Sequence, residues 1–233
     1  MLRAMHSFAL FFLLVPTLCQ SAAQMPQPIT NAPFVAMRIQ TSTQPSGSHT
    51  TFGTVARSSD GSGYVEFNSS DGTRMALILD VVHHQMIELY LKTHMYSVFP
   101  QPNIKASTWP EGYAQHYIES AGKPGSKRKV DGGLEITTIG QRVIEGVDTI
   151  GFSEQSADGR TSERWYSPAL NLDISKKSHF PAQDIDSDTR IQQLHLGEPD
   201  AKLFEIPNGY ILYKYKGHSS KACSETAASS RGC

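Results

Sequence analysis

The chain has 233 residues, 39% of them apolar and 18% charged, and its 21 Lys+Arg against 22 Asp+Glu leave a formal net charge of −1. That balance holds no basic surplus for nucleic acid or an anionic membrane surface, and the apolar content is too high for a disordered chain. The length suits one good-sized domain or two small ones.

The first elements form an address. Arg3 precedes an unbroken apolar run over residues 8–15, Pro16 ends it, and Ser21, Ala22 and Ala23 put small residues before Gln24. Residues 1–23 are predicted to be a secretory signal peptide. The run is far shorter than the roughly 20 residues that span a bilayer. Leu18 before Cys19 argues against a lipidated cysteine. Cleavage removes Arg3 and no acid, so the remainder carries a net charge of −2 and keeps two cysteines, Cys223 and Cys233. In an oxidising compartment these two either pair or stay as solvent thiols. No later apolar run is long enough for a transmembrane helix, so no integral membrane segment is expected after cleavage.

Residues 24–33 read as a flexible leader, residues 34–216 as a single antiparallel β domain, and residues 217–233 as a disordered tail. Within the domain the hydrophobic period is two. Val35, Met37 and Ile39 alternate with Ala36, Arg38 and Gln40, and Leu170, Leu172 and Ile174 alternate with Asn171, Asp173 and Ser175. Strands are predicted near 34–40, 50–58, 62–69, 74–82, 85–91, 94–99, 133–142, 145–155, 161–167, 170–176, 188–197 and 209–215. Ser59-Asp60-Gly61, Asp131-Gly132-Gly133, Glu145-Gly146 and Asp158-Gly159 supply turns between them. The stretch 74–82 is apolar on both faces and predicts cover on both. Short turns between consecutive strands give a meander rather than βαβ units.

An insert at about 100–132 interrupts the rhythm. It carries Pro100, Pro102, Pro110 and Pro124 and a basic run over residues 123–129, read as a solvated loop tip. Tyr113 and Tyr117 lie four apart within residues 111–121, which suits one short amphipathic helix over an open sheet face. A second helical turn is predicted after Gly197, with Pro199 near its start.

Motifs for catalysis and metal binding are incomplete. The stretch around Ser153 lacks the second glycine of a nucleophile elbow. Ser120/Lys123 and Ser126/Lys129 have Ser-x-x-Lys spacing but sit in the insert, where a buried helical lysine is not expected. Asp184, Asp186 and Asp188 resemble the start of a calcium loop, yet Thr189 stands where glycine is needed and His195 where the bidentate glutamate belongs. His83, His84, His94 and His116 lack ligand spacing. No catalytic residue, metal site or cofactor is assigned.

Other motifs say more. Ile144-Glu145-Gly146-Val147 is followed by Glu163-Arg164-Trp165-Tyr166-Ser167-Pro168-Ala169-Leu170. Gly197-Glu198-Pro199-Asp200, Leu203-Phe204 and Pro207-Asn208-Gly209-Tyr210 then complete the order. This order resembles a group of uncharacterised exported bacterial proteins and, more loosely, the C-terminal half of the lipoprotein-carrier superfamily typified by LolA and LolB. The resemblance covers roughly residues 130–213. It implies a strongly curved antiparallel half-barrel whose concave apolar face is closed by a short helix, a cavity that holds acyl chains in the carriers.

The expected function is therefore an exported binding or carrier protein for a hydrophobic or amphiphilic, lipid-like molecule of the cell envelope, periplasmic or secreted. The candidate ligand-binding residues are Trp165, Tyr166, Tyr113 and Tyr117. Trp165 and Tyr166 are adjacent and face opposite sides of a strand, one toward the core and the other toward a ligand, unless both are packing aromatics. Two alternatives stand beside this reading. One is a secreted hydrolase with His94, His116 or His179 as base, and the other is a structural envelope protein without a ligand.

Overall fold

The computed structural model describes residues 25–68, 72–130 and 132–213. The predicted signal peptide, both tail cysteines and the predicted disordered tail lie outside them. Thirteen strands among the described residues form a single sheet. One meander runs through β1 (Phe34–Gln44), β2 (Gly47–Arg57), β3 (Gly63–Asn68), β4 (Arg74–Asp80), β5 (Gln85–Tyr90) and β6 (Met95–Pro100). The helix α1 (Tyr113–Ser120) precedes a second meander: β7 (Lys127–Val130), β8 (Leu134–Ile144), β9 (Val147–Gln155), β10 (Thr161–Ser167), β11 (Leu172–Phe180) and β12 (Ile185–Leu196). Antiparallel pairing of β1 with β12 joins the two meanders into one open curved sheet, a half-barrel. A short 3₁₀ turn (Ala201–Phe204) then leads to β13 (Ile211–Leu212), which lies parallel to β6 at one edge.

The hairpin turns explain the meander. At Glu145-Gly146 both residues have positive φ, 50° and 79°, which matches the twist of the flanking strands. Four other hairpins end their loops on a non-glycine residue in the left-handed region: His84, His94, Asn171 and Asp184, at φ 47–52°. Short polar side chains and imidazoles tolerate this conformation better than most. His83 and His84 therefore sit in a turn, His83 bonded to Asp80 at 2.7 Å.

The register defines two faces. The front carries Phe34, Ala36 and Arg38 of β1, with Val55 of β2, Ile174 of β11 and Ile191 of β12 beside them. The back carries Val35, Ala56, Tyr64, Ala76, Ile78 and Leu89, and Leu203, Phe204, Ile206 and Tyr210 pack over them. Asp200 accepts from the Lys202 N–H at 3.0 Å and starts the 3₁₀ turn that delivers Leu203 and Phe204. At Ile78 and Leu79 the stretch apolar on both sides is buried on both faces.

Three differences from the sequence reading have clear causes. On β1 the buried set is Phe34, Ala36 and Arg38, with Val35, Met37 and Ile39 only half-buried, because elements distant in sequence cover the front. The basic run is not wholly a loop tip: residues 127–130 form β7, an edge strand with all four residues exposed, where Lys127, Arg128 and Lys129 discourage pairing with another chain. The segment expected to be a flexible leader is docked. Ile29 is 1% exposed, and Thr30 N–H donates to the Ser107 carbonyl at 2.9 Å.

Candidate binding site

The docked leader makes a cavity where the sheet alone would offer an open face. Arg57, at the end of β2, is fully buried, and among the described residues it forms no ion pair with a carboxylate. Its Nε and Nη2 donate to the Ala32 carbonyl at 3.0 and 2.7 Å, Nη1 to Gln27 O at 3.0 Å, and Nη2 also to Leu170 O at 2.8 Å. The guanidinium stands 5.1 Å from the centre of the Phe34 ring. Burial lowers its pKa to about 10, which leaves it charged at neutral pH. One side chain thus ties the leader and the β10–β11 turn to the sheet. Gly63 lets the leader lie close, since a Cβ there would come 3.3 Å from Pro26 Cγ.

Between residues 25–27 and the front of β1, β2, β11 and β12 lies a cavity of about 220 Å³. Met25, Pro26, Val55, Leu172, Phe180 and Ile191 form its apolar walls. Arg38, Gln40, Asp173, Lys176 and Thr189 contribute polar groups. Arg38 is 8% exposed, and the register sets it opposite Gly53 and Ile191, neither of which can pair with a cation. Burial lowers its pKa from the usual arginine value. Nearby, Arg164 is held between Glu154 at 2.8 Å and Asp173 at 3.4 Å. Burial raises the Asp173 carboxyl pKa, against the opposing pull of Arg164 and Lys176.

None of the four aromatic residues singled out from the sequence lines this cavity. Tyr166 is buried on the front beneath α1, in a cluster with Ile136, Ile150 and Phe152. Trp109, Tyr113, Tyr117 and Tyr166 form a row, with ring centres 3.9, 6.0 and 5.3 Å apart in succession. The Tyr166 hydroxyl donates to Asn171, which lines the cavity. Trp165 is on the back, also buried, laid across Gly151 with the Arg142 guanidinium 3.6 Å from its ring centre. The structure brings three of the four together and places Trp165 on the other face.

The three histidines considered as bases stand apart. His94 packs on Tyr210 with ring centres 5.4 Å apart, and His116 is exposed on α1. His179 is 2.9 Å from Asp186 in a more open polar groove on the back. Arg38 and the leader were missed in the sequence. A cation in phase with Phe34 and Ala36 is a signal for the first, because a charge on a buried strand face calls for a reason.

Comparison with protein-family models found no match, and comparison with curated proteins found none either. Among solved structures, the chain is similar to an uncharacterized conserved protein from Thermus thermophilus, at 10% identity and a TM-score of 0.46 over 78% of this chain and 89% of that one. MucB in the Pseudomonas aeruginosa MucA/MucB complex matches at 13% identity and a TM-score of 0.35 over 75% of this chain and 56% of that one. This chain therefore spans a little over half of MucB. A LolA superfamily protein from Nitrosomonas europaea matches at 9% identity and a TM-score of 0.28, over 74% of this chain and 90% of that one. The sequence motifs quoted above lie within residues 144–210 of this chain.

Those motifs are turn and packing devices. Glu145-Gly146 makes a hairpin, Ser167 and Pro168 are buried at the β10–β11 turn, and Glu198 accepts from the Ser59 N–H at 3.1 Å.

Proposed function

We propose that this protein is exported to the cell envelope and binds a hydrophobic or amphiphilic molecule, without catalysis, in the front cavity. The observation that carries the reading is a cavity with six apolar wall residues, built by docking the leader over a half-barrel face. Its 220 Å³ is below the roughly 300–1,000 Å³ of typical small-molecule sites, which favours a short chain or the end of a longer one. Burial of a ligand's alkyl surface there is worth roughly 25 cal/mol per Å². In this reading the predicted signal peptide exports the chain, the leader belongs to the domain, and Tyr113, Tyr117 and Tyr166 close one end of the site through Asn171. Among the described residues no helix is long and apolar enough to cross a membrane.

The test is native mass spectrometry of the protein purified from the periplasm of an expression host, before and after lipid extraction. A stoichiometric adduct that extraction removes is the expected result. A bare polypeptide mass, unchanged by incubation with short- and medium-chain amphiphiles, would sink the proposal.

A further inference from the structure

Arg38 is the one strongly buried cation in the cavity wall, and among the described residues it has no carboxylate within ion-pair distance. Arg57, buried to a similar degree, is satisfied by four bonds to carbonyls, and Arg164 by two acids. Among the described residues no protein group hydrogen-bonds the Arg38 side chain, and Arg38 lines the cavity. Lys176 lines the same space; among the described residues no acid stands within ion-pair distance of it, and its charge acts on the Asp173 carboxyl. Asp173, the carboxylate in the wall, is already engaged by Arg164. Among the described residues the wall thus holds one cation without an acid of its own, Arg38, which is 8% exposed, while Asp173 lies within the field of both Arg164 and Lys176.

Holding a cation away from water without a partner is unfavourable, and an incoming anion relieves that cost. The planar guanidinium fork matches a carboxylate through two parallel N–H···O bonds. Val55, Ile191 and Phe180 beside it suit an alkyl tail.

Resting on the binding function above, we infer that the cavity selects an organic carboxylate with a short apolar tail, its head group held by Arg38 and assisted by Lys176. Arg38 is the specificity-determining residue. It distinguishes an acid from a neutral molecule of the same length.

The experiment compares octanoate with octan-1-ol on the delipidated full chain by isothermal titration calorimetry, for the wild type and Arg38→Met. The wild type is expected to bind octanoate with one site, and octan-1-ol about tenfold or more weakly, the scale of one charge-assisted hydrogen bond. Arg38→Met is expected to lose that preference while keeping the alcohol's affinity. The wild-type comparison needs no variant, so a poorly folded Arg38→Met leaves the inference testable. Equal affinity for acid and alcohol in the wild type overturns the carboxylate inference and leaves a cavity for apolar ligands standing. Binding of neither molecule overturns the inference and removes support for the cavity as a ligand site.

Discussion

Arg57→Met removes the tie between the leader and the sheet while keeping most of the side chain's volume. In the native fold the guanidinium satisfies the carbonyls of Gln27, Ala32 and Leu170. Net values of roughly 1–1.5 kcal/mol for each carbonyl give about 3–4.5 kcal/mol. Relief from burying an arginine without an acid offsets part of this, leaving a loss of about 3 kcal/mol. For a domain of this size that lowers the melting temperature by about 6–12 °C. Urea unfolding followed by circular dichroism gives the free energy, and hydrogen exchange at Thr30 and Asn31, whose amides donate to Ser107 and Ser59, reports the leader directly. A loss under about 1 kcal/mol with unchanged protection at both amides would refute the account of how the leader is held.

Gly151→Ala places a Cβ 2.8–2.9 Å from three carbons of the Trp165 indole, whose ring centre lies 3.6 Å from the Arg142 guanidinium. Overpacking of this kind costs about 1–3 kcal/mol, so thermal denaturation is expected to shift down by about 2–12 °C, and an unchanged melt contradicts the packing described. Ile29→Ala is expected to lose about 2–5 kcal/mol in urea unfolding, whereas a truly loose leader gives no change. Asp173→Asn tests the pH dependence. Burial raises this carboxyl above its ordinary 3.8, so the folded state holds its proton more tightly than the unfolded chain does. Its contribution to stability is present in acid and lost as pH rises through the carboxylate range. The variant is therefore expected to gain on the wild type in melting temperature between pH 3 and pH 7; a constant difference speaks against the assignment.

The sequence by itself determined most of the strands, β7 excepted, because a period of two in side-chain polarity is a local property that a half-buried sheet must satisfy. It also determined the meander and the Glu145-Gly146 hairpin, since short loops leave adjacent strands no other partners. It did not determine which face of β1 is buried. Val35, Met37 and Ile39 are as apolar as Phe34 and Ala36, and the choice falls to β11 and β12, whose Ile174 and Ile191 come from far along the chain to pack with Phe34 and Ala36. Turns ending on His84 and Asn171 escaped for a related reason: a left-handed residue without glycine is fixed by the closure of the hairpin around it. Tyr113, Tyr117 and Tyr166 were legible as aromatics, but only packing made them one row and sent Trp165 to the other side. The cavity is the clearest case. Arg38 and Lys176 are 138 positions apart and share a wall only because β1 and β12 pair, with β11 beside them. The burial of Arg38 and its want of an ion-pair partner among the described residues are properties of that assembled wall, which no local stretch of sequence contains.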